Sequence, residues 1–216
     1  MMNVLVTGSG RGIGRAIALK FLNEGHNVYG IDILDSSIDN KNYTHIKKDI
    51  RDKDLPNIDS LNIIIYNAGV SNEEDAIDVN LSGTMNISEK YSYGDSVKSI
   101  LFIASASWIN GSEFKYYVAS KGAIVSYMKH LALELGKKGV LVNSISPGAV
   151  ETLFNKHIIE DKILYNKVKA ESILDKWIKP EEIAEWAYFI TTVNKSMTGE
   201  DILIDNGEIL KSNFIW

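Results

Sequence analysis

The chain contains no cysteine, which excludes disulfides and thiolate metal sites. That absence suits a reducing compartment, and a cytoplasmic protein is expected. No stretch approaches the roughly 18 apolar residues needed to cross a membrane. The opening MMNVLVTGSG has neither a charged leader nor a long apolar run. Membrane contact is therefore not expected. Positive charge is not in excess either: 23 Lys and Arg against 28 Asp and Glu give a formal net charge of -5, with the two signs interleaved. That composition leaves no basic footprint for nucleic acid. The few histidines, His26, His45, His130 and His157, show no metal-ligand spacing, so no metal is expected. What remains is ordinary globular composition, 216 residues with 45% hydrophobic and 24% charged. This suffices for one domain over residues 1–216 with a sizeable core.

Short β-rich runs alternate with helical patterns, and no repeat or low-complexity linker interrupts them. The strand candidates are NVLVTG, NVYGIDI, THIKKDI, LNIIIYNAG, KSILFIAS, VLVNSISPG and DILIDNG. Several are near-continuous apolar runs, as strands covered on both faces should be. The expected fold is α/β: a Rossmann-type, doubly wound, mostly or fully parallel sheet of about seven strands with helices on both faces. Helices are predicted over 13–24, closed by Gly25, over 80–92, and over 115–137. In the last, Ile124, Met128, Leu131 and Leu135 form one apolar stripe. A further helix should start at Pro180, with Glu181 and Glu182 complementing its positive end. Residues 153–178 have few turn signals and suggest a lid.

The first chemical motif, TGSGRGIG, spans residues 7–14 at a strand-to-helix junction. Gly8 permits a tight turn there, and Gly12 and Gly14 allow close backbone approach. The amides at the helix start then favour a pyrophosphate. Asp32 closes the next strand near the offset of about 20 residues at which an acid accepts a ribose hydroxyl. The spacing TGxxxGxG, followed by YNAG (66–69), DVN (78–80), FIASAS (102–107), YVASK (117–121) and NSISPGAVET (143–152), resembles the short-chain dehydrogenase/reductase family. MTGEDILIDNG (197–207) resembles that family's last strand, so the similarity runs nearly end to end.

In KYYVASKG, residues 115–122, only one of the two tyrosines can work with the lysine. Residues four apart share a helix face, which pairs Tyr117 with Lys121 and turns Tyr116 away. A nearby cation lowers a phenol from its ordinary value near 10, so Lys121 is expected to make Tyr117 a usable general acid or base. Ser105, at a strand's C-terminal end, can hold the substrate oxygen, with Ser107 in reserve. Asn80 is expected to open a helix, and the resemblance implies that it bends that helix and completes a proton relay from Lys121.

The resemblance also implies a nicotinamide dinucleotide held by Gly8, Ser9, Arg11, Gly12, Ile13 and Gly14. Asp49 and Ile50 would serve the adenine, and Asn67, Ala68 and Gly69 the adenosine ribose side. Pro147, Gly148, Val150 and Thr152, with Tyr117 and Lys121, would serve the nicotinamide. Asp32 argues for NAD because a carboxylate repels a 2′-phosphate, whereas Arg11 keeps NADP open. The implied activity transfers a hydride between nicotinamide and a secondary alcohol or ketone. An NADP-dependent 3-oxoacyl-thioester reductase of the acyl-carrier-protein type is the alternative, since GRGIGRAIA resembles it, and a non-catalytic dinucleotide sensor is the other. Trp108, Ile109, Phe154 and His157 are expected around a small-molecule carbonyl or alcohol substrate. By the same resemblance a homodimer or homotetramer is expected, built on the helices over 80–92 and 115–137. The apolar Phe-Ile-Trp ending is expected to aid assembly.

Overall fold

Seven short runs rich in Val, Ile, Leu and Tyr supply the strands: β1 (Asn3–Thr7), β2 (Asn27–Asp32), β3 (Tyr43–Lys47), β4 (Ile63–Tyr66), β5 (Ser99–Ile103), β6 (Leu141–Pro147) and β7 (Asp201–Ile204). In the computed structural model, which describes residues 1–211, all seven pair in parallel as one sheet of order β3-β2-β1-β4-β5-β6-β7. Every residue of β4 and β5 is buried, as expected for strands covered on both faces. The order reverses between β1 and β4. Such a switch point opens a crevice at the carboxyl ends of the strands, where open α/β sheets bind ligands.

The helices are α1 (Gly12–Asn23), α2 (Thr84–Tyr91), α3 (Ser107–Asn110), α4 (Lys115–Leu135), α5 (Lys156–Ile159), α6 (Lys162–Lys169) and α7 (Pro180–Tyr188). On one face of the sheet, Ile87 of α2 and Ile124, Met128, Leu131 and Leu135 of α4 pack on Leu5, Ile64, Ile100 and Phe102. On the other, Ile17 and Phe21 of α1 and Ala184 and Ala187 of α7 pack on Val4, Val6, Ile63 and Ile65. The predicted stripe of α4 is thus its core face. α1 stops where Gly25 takes φ 81, a conformation that disfavours residues with a Cβ. α7 starts at Pro180, and Glu182 accepts the Lys179 amide at 2.8 Å.

The helix expected over 80–92 departs from expectation. Residues Ala76–Gly83 form a π-helical stretch, and the α-helix begins only at Thr84. Asn80 therefore sits inside a widened turn and not at a helix start. Its side chain reaches out of the helix to Val70. Oδ1 accepts the Val70 amide at 2.7 Å, and Nδ2 donates to the Val70 carbonyl at 2.9 Å. The π-helical turn and these two bonds together hold Asn80 against the segment after β4.

Candidate functional site at the carboxyl edge of the sheet

The glycine loop leaves β1 at Thr7. Gly8 (φ 68) and Gly12 (φ 55) occupy left-handed backbone, and a Cβ on Gly14 would stand 2.1 Å from the Gly8 carbonyl oxygen. The loop can therefore curl tightly onto the start of α1 only with glycine at these points. Asn67 braces it from β4, donating Nδ2 to the carbonyls of Thr7 (3.0 Å) and Gly8 (3.2 Å). Thr7 Oγ1 in return accepts the amides of Asn67 and Ala68. Thr7 is a site residue that sequence reasoning missed. Its signal was a hydroxyl on the last residue of the strand that precedes the loop.

Asp32 is buried at the end of β2. It accepts the amides of Gly10 at 2.7 Å and Leu34 at 2.9 Å. A carboxylate has about four acceptor positions, so two stay open for a ribose diol. The residues after β2 fold back on the loop, where Ser37 donates to the Gly10 carbonyl at 2.8 Å and Arg15 donates to Ser37. Arg11 is exposed at the start of α1. Ser9 is fully buried, and its hydroxyl meets Tyr43 Oη at 2.9 Å beneath the loop. Ile13 and Val150 pack with Ile178 and Ile183 in one small apolar cluster, which ties the start of α1 to the root of the 153–178 segment.

The adenine side is less open than the sequence suggests. Asp49 is gripped by Arg51 through Nη2 (2.7 Å) and Nε (3.0 Å), which holds the carboxyl below its usual range. Arg51 also donates to Asp78 at 2.8 Å. Ile50 buries its side chain where a Cβ on Gly83 would meet it at 2.9 Å, and its carbonyl accepts Asn86.

Across the cleft, Ser105 follows β5, and Tyr117 and Lys121 lie on successive turns of α4. All three are buried, with the Lys121 ammonium 5.7 Å from the Tyr117 ring centroid. Ser105 Oγ accepts from Ser107 Oγ at 2.9 Å, which leaves the Ser105 proton free to be donated toward the Tyr117 oxygen. The two serines thus take different parts: Ser107 orients and Ser105 faces the phenol. Lys121 Nζ donates to the Ile103 carbonyl at 3.0 Å. Gly69 brings it toward Asn80, since a Cβ there would stand 3.0 Å from Asn80 Oδ1 and 3.5 Å from Lys121 Nζ. Asn80 Nδ2 also donates to Ser120 Oγ at 3.0 Å, so the asparagine spans from Val70 to α4.

The charges differ from the simple expectation that Lys121 lowers the phenol. Burial pushes the Tyr117 phenol up, and Glu113 pushes the same way, with only the Ser105 hydroxyl opposing. Lys121 is itself pushed down to about 8 by burial, with Glu113 opposing. Desolvation is the leading cause of both shifts.

Beyond the lysine, β6 delivers Pro147, and the Gly148 amide donates to the Ile204 carbonyl at 2.9 Å. Thr152 closes on the glycine loop, with its Cγ2 3.4 Å from where a Gly12 Cβ would lie. Of the expected substrate-side residues, Phe154 alone meets the tyrosine, its ring centroid 6.1 Å from that of Tyr117. Trp108 turns inward, donating Nε1 to Ser146 Oγ and to Asp201 Oδ2, each at 3.0 Å. A part-buried indole N–H needs a hydrogen-bond acceptor, and the sheet offers two. Ile109 and His157 are exposed. Among the described residues no group of acids and histidines could hold a metal, and no helix is long and apolar enough to cross a membrane.

Comparison with known proteins agrees with this geometry. Residues 55–208 match the family model described as Enoyl-(Acyl carrier protein) reductase. The chain is 26% identical to L-rhamnose 1-dehydrogenase (NADP(+)) of Thermoplasma acidophilum, over 96% of each chain. It is 28% identical to a 3-oxoacyl-[acyl-carrier-protein] reductase of Thermotoga maritima, over 95% of this chain and 97% of the relative. A solved short chain dehydrogenase family protein from Francisella tularensis superposes with a TM-score of 0.86 at 29% identity, covering 98% of this chain and 100% of that one.

Proposed function

This chain belongs to the short-chain dehydrogenase/reductase family, and from that membership we propose how its own residues run the reaction. It is an NAD(P)-dependent oxidoreductase acting on an alcohol or ketone. The nicotinamide, when bound, supplies the hydride acceptor or donor. Tyr117 moves the proton at Oη, donating to a carbonyl oxygen in reduction and accepting from a hydroxyl in oxidation. Ser105 holds the substrate oxygen beside that phenol, with Ser107 fixing the direction of its proton. Lys121 is charged below about pH 8 and favours the phenolate. Asn80, braced on Val70 and Ser120, lies next to Lys121 where protons leave. The observation that carries this reading is the meeting of Ser105, Tyr117, Lys121 and Asn80 at the end of β5. A sensor that only binds nucleotide needs no buried lysine beside a buried tyrosine.

The nucleotide rim fits the dinucleotide. Gly8, Ser9, Arg11, Gly12, Ile13 and Gly14 border the pyrophosphate. Asp32 accepts the ribose hydroxyls, and Asp49, Ile50, Asn67, Ala68 and Gly69 line the adenosine side. Pro147, Gly148, Val150 and Thr152 border the nicotinamide. NAD is the preferred form, because the inward carboxylate of Asp32 opposes a 2′-phosphate while Arg11 remains in solvent. Residues 153–178 act as the lid of a single domain, and a homo-oligomer in the cytoplasm is the working assembly. The tail proposed for assembly lies outside the described residues. NADH and NADPH oxidation across ketones, aldehydes and 3-oxoacyl thioesters, with Tyr117→Phe alongside, tests the catalytic and cofactor roles. Turnover by the wild type that is lost in the variant is expected, with NADH preferred. Equal turnover by both proteins would remove Tyr117 from its role. Preference for the thioester with NADPH would establish the acyl-carrier reading instead.

A further inference from the structure

One polar cluster, where β6 and β7 run side by side, has no part in the reaction as described. Ser144 and Asp201 are register partners on the two strands, and Ser146 follows two residues along β6 on the same face. The Asp201 carboxylate accepts from Ser144 Oγ at 2.5 Å, from Ser146 Oγ at 2.8 Å and from Trp108 Nε1 at 3.0 Å. Trp108 Nε1 also donates to Ser146 Oγ at 3.0 Å. Both serines are fully buried. Among the described residues Asp201 has no ion-pair partner within 4.0 Å, whereas Asp49, Asp78 and Glu182 each have one. Within the protein its charge is met by hydrogen-bond donors, the kind of bond that is shorter and stronger than one between neutral groups.

The three donors differ in freedom. A serine hydroxyl rotates to suit whatever acceptor is near, but an indole N–H points only along the plane of its ring. The acceptor therefore constrains the tryptophan most. A staple between β6 and β7 alone would need only the serines. Trp108 is the second residue of α3, the short helix that follows Ser105. Its Cβ lies 3.8 Å from where a Cβ on Gly122, the residue after Lys121, would stand. The side chain thus runs from α4 down to the β6–β7 floor. The Trp108 amide donates to the Ser105 carbonyl at 3.3 Å, and the Ala106 amide donates to the Pro147 carbonyl at 2.8 Å. Ser107, which donates to Ser105 Oγ, stands between these two anchored residues. We propose that Asp201 is a positioning residue: by holding the Trp108 indole it fixes α3, and so the Ser107–Ser105 hydrogen bond that directs the Ser105 proton to the substrate oxygen. The inference rests on the oxidoreductase reading above and carries it beyond the residues that meet the substrate.

A double-mutant cycle tests it. Cyclohexanone, glyceraldehyde and acetoacetyl-coenzyme A are each offered with NADH and NADPH, and the fastest pair is used throughout. Asp201→Leu removes the acceptor, and kcat should fall about 10–10²-fold with nucleotide affinity unchanged. Asp201→Asn keeps one oxygen for the indole and should restore most of that loss. On a Ser105→Ala background, Asp201→Leu should cost no further kcat, because the group it positions is gone. A merely structural role would lower both backgrounds alike. Should Asp201→Leu fail to fold, Trp108→Phe, which keeps a ring against Gly122 and loses the N–H, takes its place in the cycle. The bond is also read without turnover. The Trp108 indole proton, identified by NMR from its loss in Trp108→Phe, should exchange with solvent faster in Asp201→Leu than in wild type or Asp201→Asn. A wild-type kcat in Asp201→Leu, an equal loss on both backgrounds, or unaltered indole exchange would overturn the inference and leave the oxidoreductase reading standing. No turnover by the wild type with any pair would overturn that reading, and this inference with it.

Discussion

The two rims of the cleft are built from different materials. The nucleotide rim is backbone held by backbone and short side chains: Gly10 is gripped by Asp32 and Ser37, and Gly8 by Asn67, with Thr7 beneath. The rim proposed for the substrate is side chain. Leu153, Phe154, Ile163, Ile173 and Leu174, all in the 153–178 segment, are exposed at 40% or more. In the function proposed above, the first rim fits a ligand that never changes, and the second leaves apolar surface to meet the substrate. The difference predicts where substitution is costly, and in which currency the loss is read.

The largest effect belongs where the rims meet. Tyr117→Phe keeps the ring packed against Phe154 and removes only the proton-carrying oxygen, so kcat/KM should fall about 10²–10⁴-fold with nucleotide affinity unchanged. A matching loss of nucleotide binding by fluorescence titration would mean that the rims cannot be separated at this residue. Lys121 comes next, and here stability and activity part company. Its ammonium is buried and pushed down to about 8. The unfolded chain holds that proton up to about 10.4, so between those values the folded state binds fewer protons and stability rises with pH. Below pH 8 the folded protein carries the full desolvation penalty. Lys121→Met should therefore raise stability at pH 7 by about 2 kcal/mol while abolishing turnover, the hydrogen bond to Ile103 offsetting part of the gain. Urea denaturation at pH 7 and pH 10 checks both sign and window. A variant less stable than wild type at pH 7 would show that the lysine is held at net profit.

On the nucleotide rim, Gly14→Ala sets helix propensity against sterics. Alanine is favoured in a helix by up to about 1 kcal/mol. The new Cβ would stand 2.1 Å from a backbone oxygen and 2.4 Å from Asn67 Nδ2, and backbone cannot move aside cheaply. Sterics win, and the loss should be about 1–3 kcal/mol with nucleotide affinity falling as well. The denaturation midpoint and a nucleotide titration read the two losses separately.

This contrast also explains what was legible in the sequence. The strands could be read because runs such as Ile63–Tyr66 and Ile100–Ile103 are continuously apolar, and glycine or aspartate directly follows β1, β6 and β7. The glycine loop and the Tyr117–Lys121 pair could be read because each depends on local spacing along one element. Other features are set by residues far apart in the chain. Asn80 is held by Val70, ten residues earlier in the chain, and Trp108 turns inward because β6 and β7 present Ser146 and Asp201 side by side. The sign of the Tyr117 shift was equally hidden. Spacing placed the lysine correctly, but burial by the whole fold decides the outcome.

The smallest predicted effect completes the comparison. Phe154 is 40% exposed, and its ring lies 6.1 Å from that of Tyr117 at a tilt of 48°. A half-exposed aromatic holds little of the fold together, so Phe154→Ala should cost less than about 1 kcal/mol of stability. The truncation nevertheless uncovers the tyrosine face toward which substrate must come. KM should rise a few-fold while kcat changes less, the pattern of a contact made equally in the ground and transition states. A large fall in kcat at constant KM would move Phe154 into the reacting geometry. A loss of stability as large as that of Gly14→Ala would make the substrate rim as rigid as the nucleotide rim, and the contrast drawn between them would fail.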